Sequence, residues 1–209
     1  MRLGRKAFLL VAALSPLCAL AQGQAAPPMP DDPRAARFRE IERGAFVGFE
    51  SGALVLLKTP TADPKKFPFA QADGGVGVLA LVGVHVGYDV TSRLAASLFA
   101  LGGNGSANST YGSFSVLAAG ADLRFALTGW NDGQGVERFH IFVHGRGGWL
   151  VTRPAGLLGD TDVLAAGGPG FEYSTHLRHF SIALGADAAY LTKAKVFGVS
   201  PFAAVRYTF

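Results

Sequence analysis

The stretch "GGVGVLALVGVHVGYDV", residues 74–90, decides how the rest of the chain is read. Val76, Val78, Ala80, Val82, Val84, Val86 and Tyr88 occupy every second position, opposite Gly77, Gly83, His85 and Gly87. A period of two sends alternate side chains to opposite faces of a β-strand; a helical face would repeat every three to four residues. The same period recurs from Gly44 onward. Strands are expected near 44–57, 74–90, 93–102, 111–127, 138–151, 162–174, 179–192 and 196–209.

Alternation alone also describes a half-buried sheet in a soluble sandwich. The charges separate the two cases. Glu50, His85, Asp122, Arg124, His140, His144, Arg146, Glu172, Asp187 and Arg206 each fall opposite the aliphatic stripe of their own strand. The apolar stripe, as in Phe139, Ile141, Val143, Gly145, Gly147, Trp149 and Val151, carries no charge. Aromatic residues share the apolar face and gather at strand ends. Phe49, Tyr88, Phe125, Phe139, Phe171, Tyr173, Phe180, Tyr207 and Phe209 fall at one end, and Tyr111, Trp149, Tyr190 and Phe197 at the other. Phe46, Phe114, Phe142 and Phe202 are exceptions that point with the charges, and "RLAASLFALG" (93–102) reads either way.

Two aromatic rings bounding a band of Val, Leu, Ala and Gly match the two interfaces that a transmembrane barrel meets. Backbone groups facing lipid must all be paired, so strands in a membrane have to close on themselves. A Lys or Arg on the lipid face costs roughly 2 to 4 kcal/mol at mid-membrane, which accounts for the missing outward charges. A lipocalin-like soluble barrel would invert the two faces. The expected fold is therefore all-β: an eight-stranded antiparallel up-and-down transmembrane barrel over 44–209, with a short periplasmic N-terminal tail.

The lumen of such a barrel is just wide enough for its own side chains. Four acids, three arginines and three histidines on the inward face are expected to pair into a plug, leaving no open pore. Residues four apart on a strand are ~13 Å apart, so His140 and His144 cannot share one metal ion. Neither a metal nor a cofactor is expected.

The first residues, "MRLGRKAFLLVAALSPLCALAQ", have a basic start, an apolar run from Ala7 to Leu17, and the small residues Ala19 and Ala21 where signal peptidase would cut. The run is short of the ~20 residues that span a bilayer. The expected division is a signal peptide over 1–21, a periplasmic linker with one or two helical turns over 22–43, and the barrel over 44–209. Cys18, the single cysteine, leaves with the signal. The formal charge of +4, from 19 basic and 15 acidic residues, then falls to 16 against 15 as Arg2, Arg5 and Lys6 depart. That balance gives no electrostatic case for nucleic acid.

With both chain ends in the periplasm, "DVTSR", "TGWNDGQGVE" and "THLRH" become periplasmic turns. "KTPTADPKKFPFAQAD", "GGNGSANST", "TRPAGLLGD" and "TKAK" become outer loops. Lys65, Lys66, Phe67 and Phe69 make the first of these the candidate outer partner contact, although most loops are only loops.

"HFS" at 179–181 is similar to the His-x-Ser of outer-membrane lipid A deacylases, but over three residues only, and His179 falls beside a periplasmic turn. No phosphate loop, HExxH, GxSxG or cysteine cluster is present. No enzymatic activity is expected, and no catalytic or metal-binding residue is assigned.

The span from Gly44 to Phe209 resembles small bacterial outer-membrane β-barrels. Val205-x-Tyr207-x-Phe209 resembles the closing signal that such proteins present to the barrel assembly machinery. More narrowly, "GWNDGQGVERFHIFVHGRGG" (129–148), "DVLAAGGPGFEYSTHLRHFSIAL" (162–184) and "PFAAVRYTF" (201–209) resemble the CglE-like group of myxobacterial adventurous gliding motility proteins. That resemblance implies a non-enzymatic part of a gliding complex, meeting outer-membrane lipid and periplasmic and outer-membrane motility proteins. A generic small barrel for adhesion or membrane integrity, and a narrow pore, are the alternatives.

Overall fold

The computed structural model describes residues 41–57, 59, 61, 76–106, 113–153, 161–177 and 179–209. The expected signal segment with Ala19 and Ala21, the linker up to residue 40 and the 65–69 loop lie outside the described residues. The described chain forms eight strands: β1 (Ala45–Leu57), β2 (Val76–Asp89), β3 (Leu94–Ser106), β4 (Ser113–Asn131), β5 (Glu137–Arg153), β6 (Thr161–Ser174), β7 (Phe180–Leu191) and β8 (Val196–Thr208). Each pairs antiparallel with its neighbour in sequence, and β8 returns to β1, so the sheet closes into a barrel.

Closure leaves no sheet edge, as lipid requires. We call basal the end that carries the start of β1, the end of β8 and the turns 90–93, 132–136 and 175–179. The other end is distal.

Two strands run further than their sequence suggests. Gly102, Gly103 and Gly105 read as loop, but β3 continues to Ser106. A Cβ on Gly103 would strike the Ala80 carbonyl and the Leu81 side chain, so the glycine gives a bulky neighbour its space. β4 runs on to Asn131 through a bulge between Ala126 and Thr128, where the extra residue lets pairing with β5 resume. β3 itself, ambiguous in sequence, turns Ala95, Phe99 and Leu101 inward and leaves Leu98 64% exposed.

Short side-chain hydrogen bonds close the basal turns. Thr91 Oγ1 accepts from the backbone N–H of Leu94 at 2.9 Å. Asp132 Oδ1 accepts from the N–H groups of Gln134 (2.8 Å) and Val136 (3.0 Å), and Oδ2 from Arg138 Nε (2.6 Å). Burial alone would raise the Asp132 pKa; the Arg138 hydrogen bond and the two backbone donors outweigh it and hold the carboxyl below its ordinary value. Gly135, with φ 78°, supplies the left-handed residue of this turn.

The outward face is aliphatic and aromatic. Val82, Val84, Val86, Leu98, Leu117, Leu123 and Leu184 are each more than half exposed. Among the described strand residues, charge on this face is confined to a strand end, at Arg153. Aromatic rings meet at the rims. Basally, Phe139 contacts Tyr173 at 4.8 Å and Tyr207 contacts both Phe180 (5.1 Å) and Phe209 (5.2 Å). Distally, Tyr190 and Phe197 meet at 4.6 Å, and Trp149 stands 70% exposed. Strands of 12 to 19 residues comfortably exceed the ~9–11 that cross a bilayer.

The interior departs from the expectation of a lumen filled by charge. Its distal half is a dry apolar cluster that includes Leu54, Leu56, Leu79, Phe99, Leu101, Phe114, Val116, Leu150, Leu164, Leu191 and Val196. Apart from Asp162 at the distal turn, the buried charges among the described residues occupy the basal half. Along β5 the change runs within one face, from Arg138, His140, His144 and Arg146 to Leu150.

Candidate functional site

Each long polar side chain of the basal lumen faces a small residue on the next strand. Glu50 is registered with Gly83 and His85 with Gly48. His144 is registered with Gly168 and Arg146 with Ala166. A Cβ on Gly48 would fall on the His85 ring, and one on Gly170 on the Phe142 ring. These in-strand glycines therefore make room for the large groups that fill a narrow barrel.

Two ion clusters result. In the deeper one, Arg146 reaches Glu50 with both terminal nitrogens, Nη1 to Oε1 at 2.8 Å and Nη2 to Oε2 at 3.1 Å. Its Nε lies 3.3 Å from Asp122 Oδ2 and 3.5 Å from Asp187 Oδ2. His144 bridges the same two carboxylates, with Nδ1 3.0 Å from Asp122 and Nε2 2.6 Å from Asp187. Glu50, His144, Arg146 and Asp187 are all buried. Five groups from β1, β4, β5 and β7 thus tie opposite walls together.

In the cluster nearer the basal mouth, Arg124 Nη2 donates to Glu172 Oε2 at 2.6 Å. Ser181 Oγ donates to Glu172 Oε1 at 2.7 Å. Arg206 Nη2 donates to Asp89 Oδ2 at 2.8 Å. The inward phenylalanines that break the sequence pattern serve these cations. Arg124 stands over Phe142 at 4.8 Å, Arg206 over Phe46 at 4.3 Å, and Arg146 between Phe99 (5.6 Å) and Phe202 (5.4 Å). Phe114 belongs instead to the distal apolar cluster.

Of the ten residues singled out in sequence, eight enter these clusters: Glu50, Asp122, Arg124, His144, Arg146, Glu172, Asp187 and Arg206. His85 faces the lumen and packs edge-on against Phe46 at 6.0 Å. His140 lies 3.8 Å from Glu137 Oε1 at the basal mouth and is not joined to the others.

Sequence reading missed Asp89, Arg138, Ser181 and Asp162. Asp89 and Arg138 lie at strand ends, where turn and strand are hard to tell apart. Asp162 is fully buried at the distal end and accepts from the N–H groups of Val163 (2.6 Å), Lys193 (2.8 Å) and Ala194 (2.9 Å). It had the inward parity of Glu172, and that was the available signal.

His179 contacts Glu42 and Thr208 O and stacks on Tyr207 at 5.1 Å. Ser181 is committed to Glu172, so the pair does not form a nucleophile and its base. Val205 and Phe209 are exposed on the outer wall, and Tyr207 is half-buried there. Among the described residues no group of His, Cys, Asp or Glu is placed to hold a metal ion.

Two small cavities remain in the basal half. One of about 60 Å³ lies between the clusters, bordered by Glu50, His85, Ser97 and Arg124, with room for water. The other, also of about 60 Å³, opens at the basal mouth.

No family model matches the chain, and no curated protein matches it. Solved structures do. Neisserial surface protein A (NspA) superposes with a TM-score of 0.56 at 13% identity, over 79% of this chain and 99% of that one. OprG from Pseudomonas aeruginosa gives 0.46 at 14% identity, over 82% and 99%. Ail, the attachment invasion locus protein of Yersinia pestis, gives 0.42 at 13% identity, over 80% and 100%. The likeness to NspA shows a shared fold, the small closed barrel.

Proposed function

We propose that this protein is a non-enzymatic outer-membrane barrel that works as a sealed scaffold, with its basal end in the periplasm and its action exerted through protein partners. The observation that carries the reading is the filled lumen: a dry apolar cluster distally and interlocked ion pairs basally. Such an interior favours a support over a channel. The outer wall, whose band between the rims is free of charge among the described residues, supports insertion in a bilayer, as does the aromatic rim at each end.

On this reading the chain is exported by a signal cleaved after Ala21. The assembly machinery then recognises Val205, Tyr207 and Phe209. Membrane fractionation, with a band that migrates faster unheated than boiled, tests insertion; equal mobility in both states overturns it.

The resemblance to the CglE-like group supports a finer reading, a place in a gliding motility complex. Deleting the gene in a motile parent should abolish single-cell gliding. Normal gliding would leave the generic barrel for adhesion or envelope integrity, which the shared fold equally accommodates.

A further inference from the structure

We propose that the basal mouth is a receptor for a carboxylate side chain of an acidic peptide segment. The inference rests on the reading of this end as the periplasmic, partner-facing one.

The charged lining of the mouth cavity includes Arg43, Arg93, Arg124, Arg138 and Arg206, with Glu42, Asp89 and Glu172 among them. The acids are already used, Asp89 by Arg206, Glu172 by Arg124 and Glu42 by His179. Arg138 is held from outside the cavity by Asp132. The guanidinium of Arg93, exposed in the turn before β3, meets no acceptor among the described residues. Arg124 spends Nη2 on Glu172, and its remaining donors have no acceptor there either. Its side chain keeps 21% of its surface open, so those donors are within reach from the mouth.

The site is thus cationic, with one arginine fixed at depth and one at the rim that has no acceptor among the described residues. An incoming carboxylate would meet charge-assisted N–H donors on a guanidinium already held in place, so little side-chain entropy is lost on binding. Leu177 and Val90, both exposed in the flanking basal turns, offer apolar contacts to the residues around it.

The test uses the full-length barrel in detergent micelles and a fluorescent peptide bearing a Glu-rich segment, compared with its Gln-for-Glu counterpart by anisotropy. The Glu peptide should bind and the Gln peptide should not. Arg93→Gln should weaken binding by about tenfold, as expected for losing one charge-assisted contact. Lys193→Gln, an exposed cation in the distal turn, should leave it unchanged. Arg124→Gln should abolish binding, but it also breaks an ion pair, so heat-modifiable mobility must confirm that this variant is folded.

Equal binding of the two peptides, or equal weakening by Arg93→Gln and Lys193→Gln, overturns the proposal. Saturation by inorganic phosphate without peptide binding also overturns it, in favour of a free-anion site. Because the assay is performed in micelles, its failure leaves the fractionation test of the outer-membrane reading intact.

Discussion

Arg146 on β5 and Glu50 on β1 are joined by two parallel hydrogen bonds, 2.8 and 3.1 Å long, across the inside of the barrel. They come from strands that share no ladder, so this contact braces the cylinder in a direction that backbone pairing does not. Removing Arg146 leaves Glu50 buried without its cation, a loss of about 3–5 kcal/mol; removing Glu50 costs less, because Arg146 keeps Asp122 and Asp187 beside it. Arg146→Met and Glu50→Gln should each lower the urea midpoint of unfolding. The double variant should fall by less than the sum, which a double-mutant cycle reads directly.

The distal cluster should be what closes the lumen to ions. Wild-type protein in planar bilayers is expected to give no steady conductance. Leu79 and Leu150 are essentially inaccessible to solvent, and truncating each to Ala should cost about 2–5 kcal/mol by the cavity it leaves. The double variant should show ion flow. A silent double variant together with a conducting wild type would reverse the assignment of the seal.

Asp162 stitches the β7–β8 turn to the start of β6, its carboxylate accepting from three backbone N–H groups at 2.6 to 2.9 Å. Asp162→Ala leaves those buried N–H groups unpaired, at about 1–3 kcal/mol each for whichever cannot find water. Amide exchange at Lys193 and Ala194 should accelerate, while the turn at 132–136, at the other end of the barrel, keeps its protection.

That turn has its own control, the Asp132 carboxyl. Its folded pKa lies below the ordinary carboxylate value. The stability it lends is therefore present above the unfolded pKa and lost as pH falls through the folded one. Amides of Gln134 and Val136 should stay protected at neutral pH and lose protection in acid. Asp132→Asn should flatten that dependence.

Phe209 is 68% exposed on the outer rim, and its ring contacts Tyr207 at 5.2 Å. Phe209→Asp should reduce the yield of heat-modifiable protein, whereas Phe67→Asp in the first outer loop should not. Equal yields would remove Phe209 from the assembly signal.

Strand number, order and facing were legible because a strand's alternation is local. β2 can be read without knowing what lies beside it. The eight residues that meet in the two ion clusters were legible for the same reason, since each breaks the apolar rule on its own strand. The division of the lumen into wet and dry halves was not. On β5, His144, Arg146 and Leu150 share one parity, and only the register with β4 and β6 shows that they lie at different depths. β3 was unreadable because Ala, Ser, Leu and Phe fall on both of its faces. The inward phenylalanines looked like errors until their cations were placed beside them.

The stacking of a dry half on a charged half also bears on how such a protein changes over generations. Leu54, Leu79 and Leu150 belong to the distal cluster and take no part in the ion pairs that brace the base, and effects at well-separated sites add nearly independently. The distal half can therefore drift, swapping one hydrophobic residue for another of similar volume. The basal half, where each change strands a charge, is held far more tightly.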